Sequence, residues 1–229
     1  MDLKKIKKPF KAILNSQLIG KVLFHKFFLN RIAAAIKPNA AVLELGAGKF
    51  TYLNLIKQNF HKTAIDISEN AINHSKEKGI YNDYIVGDVT NLQRYISEKS
   101  FDSVVAFDLI EHVSKEQGLE LLKSIEKIAK HSIIIYTPNG FLPQDEFDNN
   151  PFQKHLSGWD FDEMKKLGYE VYGINGYKKL RGAYALPTIR PGFVGYFLSN
   201  WSWVFLEFFG KPEKSFAILC IKKLNKANN

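Results

Sequence analysis

Apolar residues in this chain come in short dense blocks, separated by stretches in which apolar positions recur at helical spacing. Residues 41–45 (AVLEL) read as a buried strand that runs straight into Gly46-Ala47-Gly48. Blocks at 62–67, 83–86, 103–107 and the strongly β-branched 132–136 repeat the pattern. Segments 51–60, 69–78, 91–98 and 116–129 read as the helices between them. Upstream, Leu18, Val22, Phe27 or Phe28, and Ile32 predict a helix over 17–37, which Pro38-Asn39 stops. Such alternation implies βαβ units: an α/β fold with a doubly wound, mostly parallel sheet and helices on both faces. Downstream, 160–167 reads as a helix, and 169–174 and 216–222 as strands. The sheet then has seven strands, the last antiparallel. Residues 178–213, rich in aromatics and proline, read as a long loop hanging from one end of the sheet. Loops of that length in a compact domain usually serve function.

A chain of 229 residues is long enough to bury a core without disulfides or metal. The single cysteine, Cys220, excludes an internal disulfide framework and a CxxC metal site, and fits a reducing cytosol. Its alternation with apolar neighbours predicts a core position. Net charge is +9, and residues 1–37 carry nine Lys or Arg against Asp2 alone. A basic arm and helix (1–37) therefore precede a near-neutral domain (38–229). Such an arm suits an anionic partner, either a lipid surface or a nucleic acid. No stretch is long and apolar enough for a membrane span; 193–209 contains Asn200 and Glu207. A cytoplasmic protein is expected, peripheral at the inner membrane face if the arm and the 193–209 aromatics bind lipid.

In open α/β sheets ligands bind beyond the carboxyl ends of the strands. After the first strand, Gly46 and Gly48 permit a tight turn and close approach of a ligand to the main chain. The third glycine of a dinucleotide fingerprint is missing, since Thr51 stands in its place. Asp66, eighteen residues beyond Gly48, stands where an acid accepts both hydroxyls of a ribose. Gly87-Asp88-Val89 follows the third strand, with Asp88 placed to accept from an exocyclic amine, and Asp108 with Glu111-His112 follows the fourth. Asp88, Asp108 and Glu111 also stand where helices start, so capping is the competing role.

The segments VLELGAG (42–48), AIDIS (64–68), GDVTNL (87–92), FDSVVAFDLIEHV (101–113) and IIIYTPNG (133–140) resemble, in order, spacing and strand-end placement, the class I S-adenosylmethionine-dependent methyltransferases. One departure is Phe50, where the family loop often carries a further glycine; Phe50 does not adopt a positive φ cheaply. The resemblance implies that Gly46, Ala47 and Gly48 lie against the amino-acid part of S-adenosyl-L-methionine. It places Glu44 near the ammonium or the loop backbone, Asp66 and Ile67 at the ribose, Asp88 and Val89 at the adenine, and Asp108 near the methionine moiety. The reaction it implies is direct methyl displacement, in which the protein aligns the reactants and excludes water. An oxygen or nitrogen acceptor also calls for a base. His155, in a loop after the fifth strand that resembles one in small-molecule members, is the first candidate, and His112 the second.

The acceptor expected is a small or lipid-linked molecule methylated at oxygen. An RNA or other nucleic-acid methyltransferase using the basic arm is the alternative, weakened by the absence of an Asn/Asp-Pro-Pro-Tyr/Phe motif. A non-catalytic methyltransferase-like binding subunit and a nicotinamide oxidoreductase are further alternatives. No His/Asp/Glu set shows metal-ligand spacing along the chain, so no metal is expected; Asp108 and Glu111 are where one would be held.

Overall fold

The computed structural model describes residues 26–146 and 151–224. The first 25 residues, and with them most of the basic arm, lie outside the described residues.

Strands β1 (Ala41–Leu45), β2 (His61–Asp66), β3 (Asp83–Val86), β4 (Phe101–Phe107), β5 (Ala129–Pro138), β6 (Glu170–Tyr177) and β7 (Ser215–Lys223) form one sheet in the order β3-β2-β1-β4-β5-β7-β6. The pairs among β1 to β5 are parallel. Strand β7 is antiparallel to both β5 and β6 and lies between them. Strand β6 thus runs in the same sense as β1–β5, and its carboxyl end lies on the same rim. The chain reverses strand order between β1 and β4, which opens the crevice where a ligand can enter.

Side-chain alternation sorts the strands into two cores. Leu43, Leu45, Val104, Ala106, Ile133, Ile135, Ile218 and Cys220 face one side, under α3 (Lys115–Ile128) and α4 (Phe161–Lys166). Val42, Val105, Phe107, Ile134, Tyr136 and Leu219 face the other, under Phe28, Ile32 and Ile36 of α1 (residues 26–35) and its C-terminal extension. Helix α2 (Glu69–Glu77) covers Ala64 next to this second core. Both faces being covered is why the strands read as nearly continuous apolar runs.

Two predicted helices shorten to single 3-10 turns. The segment at 51–60 is helical only over Tyr52–Leu55, and that at 91–98 is replaced by Val89–Arg94 with a non-helical residue at Asn91. Each has an acceptor side chain capping its start, Thr51 for the first and Asp88 for the second, but too few following residues to propagate. Helix α3, by contrast, has a full capping box from Ser114 and Gln117, so neither Asp108 nor Glu111 caps it.

The largest departure is the 178–213 segment. It is not a plain loop: helix α5 (Gly192–Phe208), seated on β6, takes up nearly half of it. Gly195, Ser199, Trp203 and Leu206 form its buried stripe. Trp203 donates its indole N–H to the Gly173 carbonyl at 3.0 Å, and its ring meets Phe27 edge-on. Gly176 carries a φ of +73°, and a Cβ there would lie 1.9 Å from the Ser199 carbonyl oxygen. Only glycine allows the helix so close.

A second close approach fixes the carboxyl-end geometry. Trp159, fully buried, lies against Gly118 of α3, where a Cβ would sit 2.4 Å from its ring. Its Nε1–H donates to the Ile110 carbonyl (3.1 Å) and to Ser157 Oγ (3.0 Å), and the Lys115 ammonium stands 3.5 Å from the ring centroid. Trp159→Ala is expected to cost about 3–5 kcal/mol, the usual range for a buried Trp. Trp159→Phe keeps most of the packing and is expected to cost about 1 kcal/mol for the lost indole hydrogen bond, since Ser157 Oγ still donates to the Ile110 carbonyl. Denaturant titration of the three proteins checks the ordering.

Candidate active site

The carboxyl ends of β1–β4 surround a cavity of about 830 Å³, within the roughly 300–1,000 Å³ typical of small-molecule and cofactor sites. Its floor is the turn after β1. Gly46 and Gly48 there have φ of +64° and +55°, and Phe50 is not among the residues with positive φ. The strained conformations fall on the two glycines, as the departure at Phe50 requires. At Gly46 a Cβ would also sit 2.6 Å from Leu109 Cδ1.

Asp66, at the end of β2, stitches this turn in place. Its Oδ2 accepts from the Gly48 N–H at 2.9 Å and its Oδ1 from the Ser68 N–H at 2.8 Å. Each oxygen retains acceptor capacity toward the cavity, which Asp66 lines together with Ile67. Asp88 also lines the cavity while its Oδ1 caps the following turn by accepting from Thr90 N–H at 2.8 Å. Its capping and cavity roles coexist. Val89 completes this wall.

Asp108 ends β4 in a left-handed conformation with φ +48°, which aspartate tolerates better than most residues. Its own N–H donates to the Tyr136 carbonyl at 2.8 Å. The residue is exposed, but onto the cavity that it lines. The cavity walls shield its carboxyl from bulk water, and this desolvation raises its pKa. Glu111, fully enclosed, is raised by desolvation first and by the nearby Asp108 second. Its Oε2 accepts from Thr137 Oγ1 at 2.9 Å. Being the more deeply buried of the two, Glu111 is the better holder of a proton.

Glu44 and Ala47 stand at the back of this turn, Glu44 thereby taking the loop side of the two placements that the resemblance implies for it. Both are buried and neither lines the cavity. Glu44 lies behind the turn, where its Oε2 accepts from Thr51 Oγ1 at 2.5 Å, and Thr51 Oγ1 in turn accepts from Leu53 N–H at 3.0 Å. Burial pushes its pKa from about 4.5 up to about 8. The Ala47 carbonyl accepts from Tyr81 Oη at 3.2 Å. These two residues hold the turn from behind.

The two histidines meet. His112 lines the cavity, His155 is buried beside it, and their rings are 4.8 Å apart edge-to-face. His155 Nδ1 bonds the Leu142 carbonyl at 2.7 Å and His112 Nδ1 the Lys154 carbonyl at 3.1 Å. Desolvation lowers both pKa values. Phe152, Gln153 and Leu156, from the same post-β5 segment as His155, form part of the cavity wall.

Compared with known proteins, residues 43–136 match the family described as "Methyltransferase domain". Over those residues, which run from β1 into β5, the chain resembles a methyltransferase domain. Among solved structures, a SAM-dependent methyltransferase from Archaeoglobus fulgidus is similar at 19% identity and a TM-score of 0.57, over 90% of this chain and 94% of that one. The magnesium protoporphyrin IX methyltransferase of Synechocystis with bound SAM is similar at 12% identity and a TM-score of 0.50, over 93% and 84%. At such identities the likeness speaks for the fold. A search of curated proteins finds no match.

The cavity has the room and the groups to take S-adenosylmethionine, on its own geometry. The bare Gly46–Gly48 turn would receive the amino-acid part, Asp66 the ribose hydroxyls, and Asp88 with Val89 the adenine. S-adenosylmethionine supplies an electrophilic methyl group when bound. The chain's own contribution is a rigid seat, from which Asp108 and His112 face the cavity.

Asp66→Ala is expected to weaken S-adenosylhomocysteine binding at least tenfold, about 1.4 kcal/mol, by calorimetric titration. Glu44 gives a pH prediction. The folded chain keeps its proton where the unfolded chain, ionising near 4.5, releases it. Stability therefore declines as pH rises from about 5 through about 8. Glu44→Gln is expected to flatten that decline, read from denaturation midpoints across the window.

Proposed function

We propose that this methyltransferase transfers the methyl group to an oxygen of an apolar, lipid-linked acceptor taken from an anionic membrane surface. The observation that carries this reading is the outer face of α5. Trp201, Phe205 and Phe208 point outward at helical spacing, and Phe208 is 81% exposed. Phe193, Tyr196 and Phe209 widen the apolar face. Exposed cations flank it: Lys178, Lys179 and Arg190 before the helix, Lys211 and Lys214 after it. An apolar helix face with cations at its ends suits the plane of a lipid interface. Among the described residues no helix is long and apolar enough to cross a membrane, which favours lying on the surface over spanning it.

The path from membrane to cavity supports the same reading. The segment leading to α5 leaves β6 at the rim that carries the cavity. Tyr184 Oη donates to the Asp145 carbonyl at 3.3 Å, joining that segment to the stretch after β5. Leu109, Val113, Phe152 and Leu156 give the cavity an apolar wall for a hydrocarbon-bearing acceptor. Oxygen as acceptor atom is supported by the carboxyls and imidazole gathered at Asp108, Glu111 and His112, groups suited to taking or holding a hydroxyl proton.

With methyl-labelled S-adenosylmethionine and fractionated host material, label is expected in the solvent-extractable lipid fraction. Label in RNA or in the aqueous metabolites would overturn the reading. Changing Trp201, Phe205 and Phe208 together to serine is expected to lower retention on anionic vesicles at least tenfold. Because the three side chains are exposed, the thermal midpoint should hold.

A further inference from the structure

We propose that Glu111, His112 and His155 form a binding site for one divalent transition-metal ion of the zinc class, at the acceptor end of the cavity. Each residue offers a ligand atom, and the three atoms lie within 4.8 Å of one another. Around one ion at about 2.1 Å, ligand atoms stand about 3.3 Å apart, so closure needs side-chain movements of about an ångström.

The backbone bonds decide which imidazole atoms are free. A carbonyl oxygen only accepts, so the bonds to Leu142 and Lys154 require the proton on Nδ1 of His155 and His112. In the neutral rings Nε2 then carries the lone pair. Among the described residues neither Nε2 makes a hydrogen bond, although the rings are in contact. A purely structural histidine pair would use these atoms on each other or on Glu111. Histidines that ligate metals regularly direct their other nitrogen to a carbonyl or carboxylate in this way, and Thr137 Oγ1 orients the Glu111 carboxyl likewise.

The cluster is held rigidly. Leu156 and Ser157 N–H both donate to the Glu111 carbonyl, at 2.8 and 3.1 Å, and His155 N–H donates to the Gln144 carbonyl at 3.1 Å. Ser157 Oγ and Trp159 Nε1 both donate to the Ile110 carbonyl. The post-β5 segment is thereby fastened to the turn that carries Glu111 and His112 before any ion arrives. Two imidazoles and one carboxylate suit zinc, and three protein ligands leave a position open. His112 lines the cavity, so that position faces the acceptor. Its use in catalysis rests on the proposed methyl transfer to oxygen, where an ion would make a hydroxyl more acidic. The site itself stands on the geometry alone.

The test uses the full chain without an affinity tag, stripped with a chelator and titrated with Co²⁺ by visible absorption and with Zn²⁺ by calorimetry. One ion per chain is expected. His155→Ala and His112→Ala are expected to weaken it at least tenfold, while His61→Ala, a histidine paired with Asp83 on the protein surface, binds as the parent does. In the unaltered chain, zinc is expected to shift the Nε2 resonances of His112 and His155, a readout that does not depend on any variant folding. No stoichiometric ion, or unshifted Nε2 resonances, would overturn the site. S-adenosylhomocysteine titration of the same samples reads the methyltransferase assignment separately.

Discussion

The carboxyl-end architecture depends on one buried indole. Trp159 fills the space that Gly118 leaves on α3, and its N–H reaches the Ile110 carbonyl. The turn after β4 and the start of α3, consecutive in the chain, meet there the distant segment after β5. The contact joins the two backbones that carry Glu111, His112 and His155. Loss of that indole would leave a void and take away one of the two donors on the Ile110 carbonyl, and the wall of the cavity would lose its register. Gly158 belongs to the same constraint, since a Cβ there would lie 2.3 Å from the Phe141 nitrogen. Small residues next to one large one produce the fit.

On the cofactor side the same role falls to carboxylates. Asp66 and Glu44 both address the turn after β1, one from the cavity and one from behind it. Asp66 spends its backbone bonds on the turn and keeps its remaining acceptor capacity for a ligand. Glu44 has no access to the cavity and is held neutral by burial across most of the physiological range. Two acids on adjacent strands thus act on one loop from opposite sides. The sequence alone shows two acids near a glycine turn; only the packing separates the roles.

The succession of strands and helices along the chain and the glycine turn were readable because each is a local pattern. Apolar blocks mark strands buried on both faces, and a glycine pair after the first block marks a turn needing positive φ. The position of Cys220 followed from the same alternation. Helix α5 was not readable, because apolar residues surround it on all sides and prolines precede it, so it lacks the polar stripe that announces a helix. The turns at Tyr52–Leu55 and Val89–Arg94 were overread because a cap and a few apolar residues also suit a longer helix. The Glu111–His112–His155 cluster is hidden by sequence distance, since His155 arrives from a different loop than the adjacent pair Glu111-His112. The Glu44 and Ala47 placements depended on which side of the turn each residue faces.

Strand β7 lies between β5 and β6, yet it follows both of them in the chain. Ser132 of β5 pairs with Lys223, and Val171 of β6 pairs with Cys220. While a ribosome is still making β7, the edge of β5 has no partner and β6 has nothing to join it to the sheet. The nascent domain must therefore carry an open β-edge and the aromatic face of α5 until nearly all of the described chain has emerged. Contacts this distant in sequence slow folding, and open edges invite pairing with other chains. Most residues that line the cavity lie upstream of this gap, at the ends of β1–β4, so that rim can form early while the sheet closes late. Protection of the nascent chain by chaperones matters most in that interval.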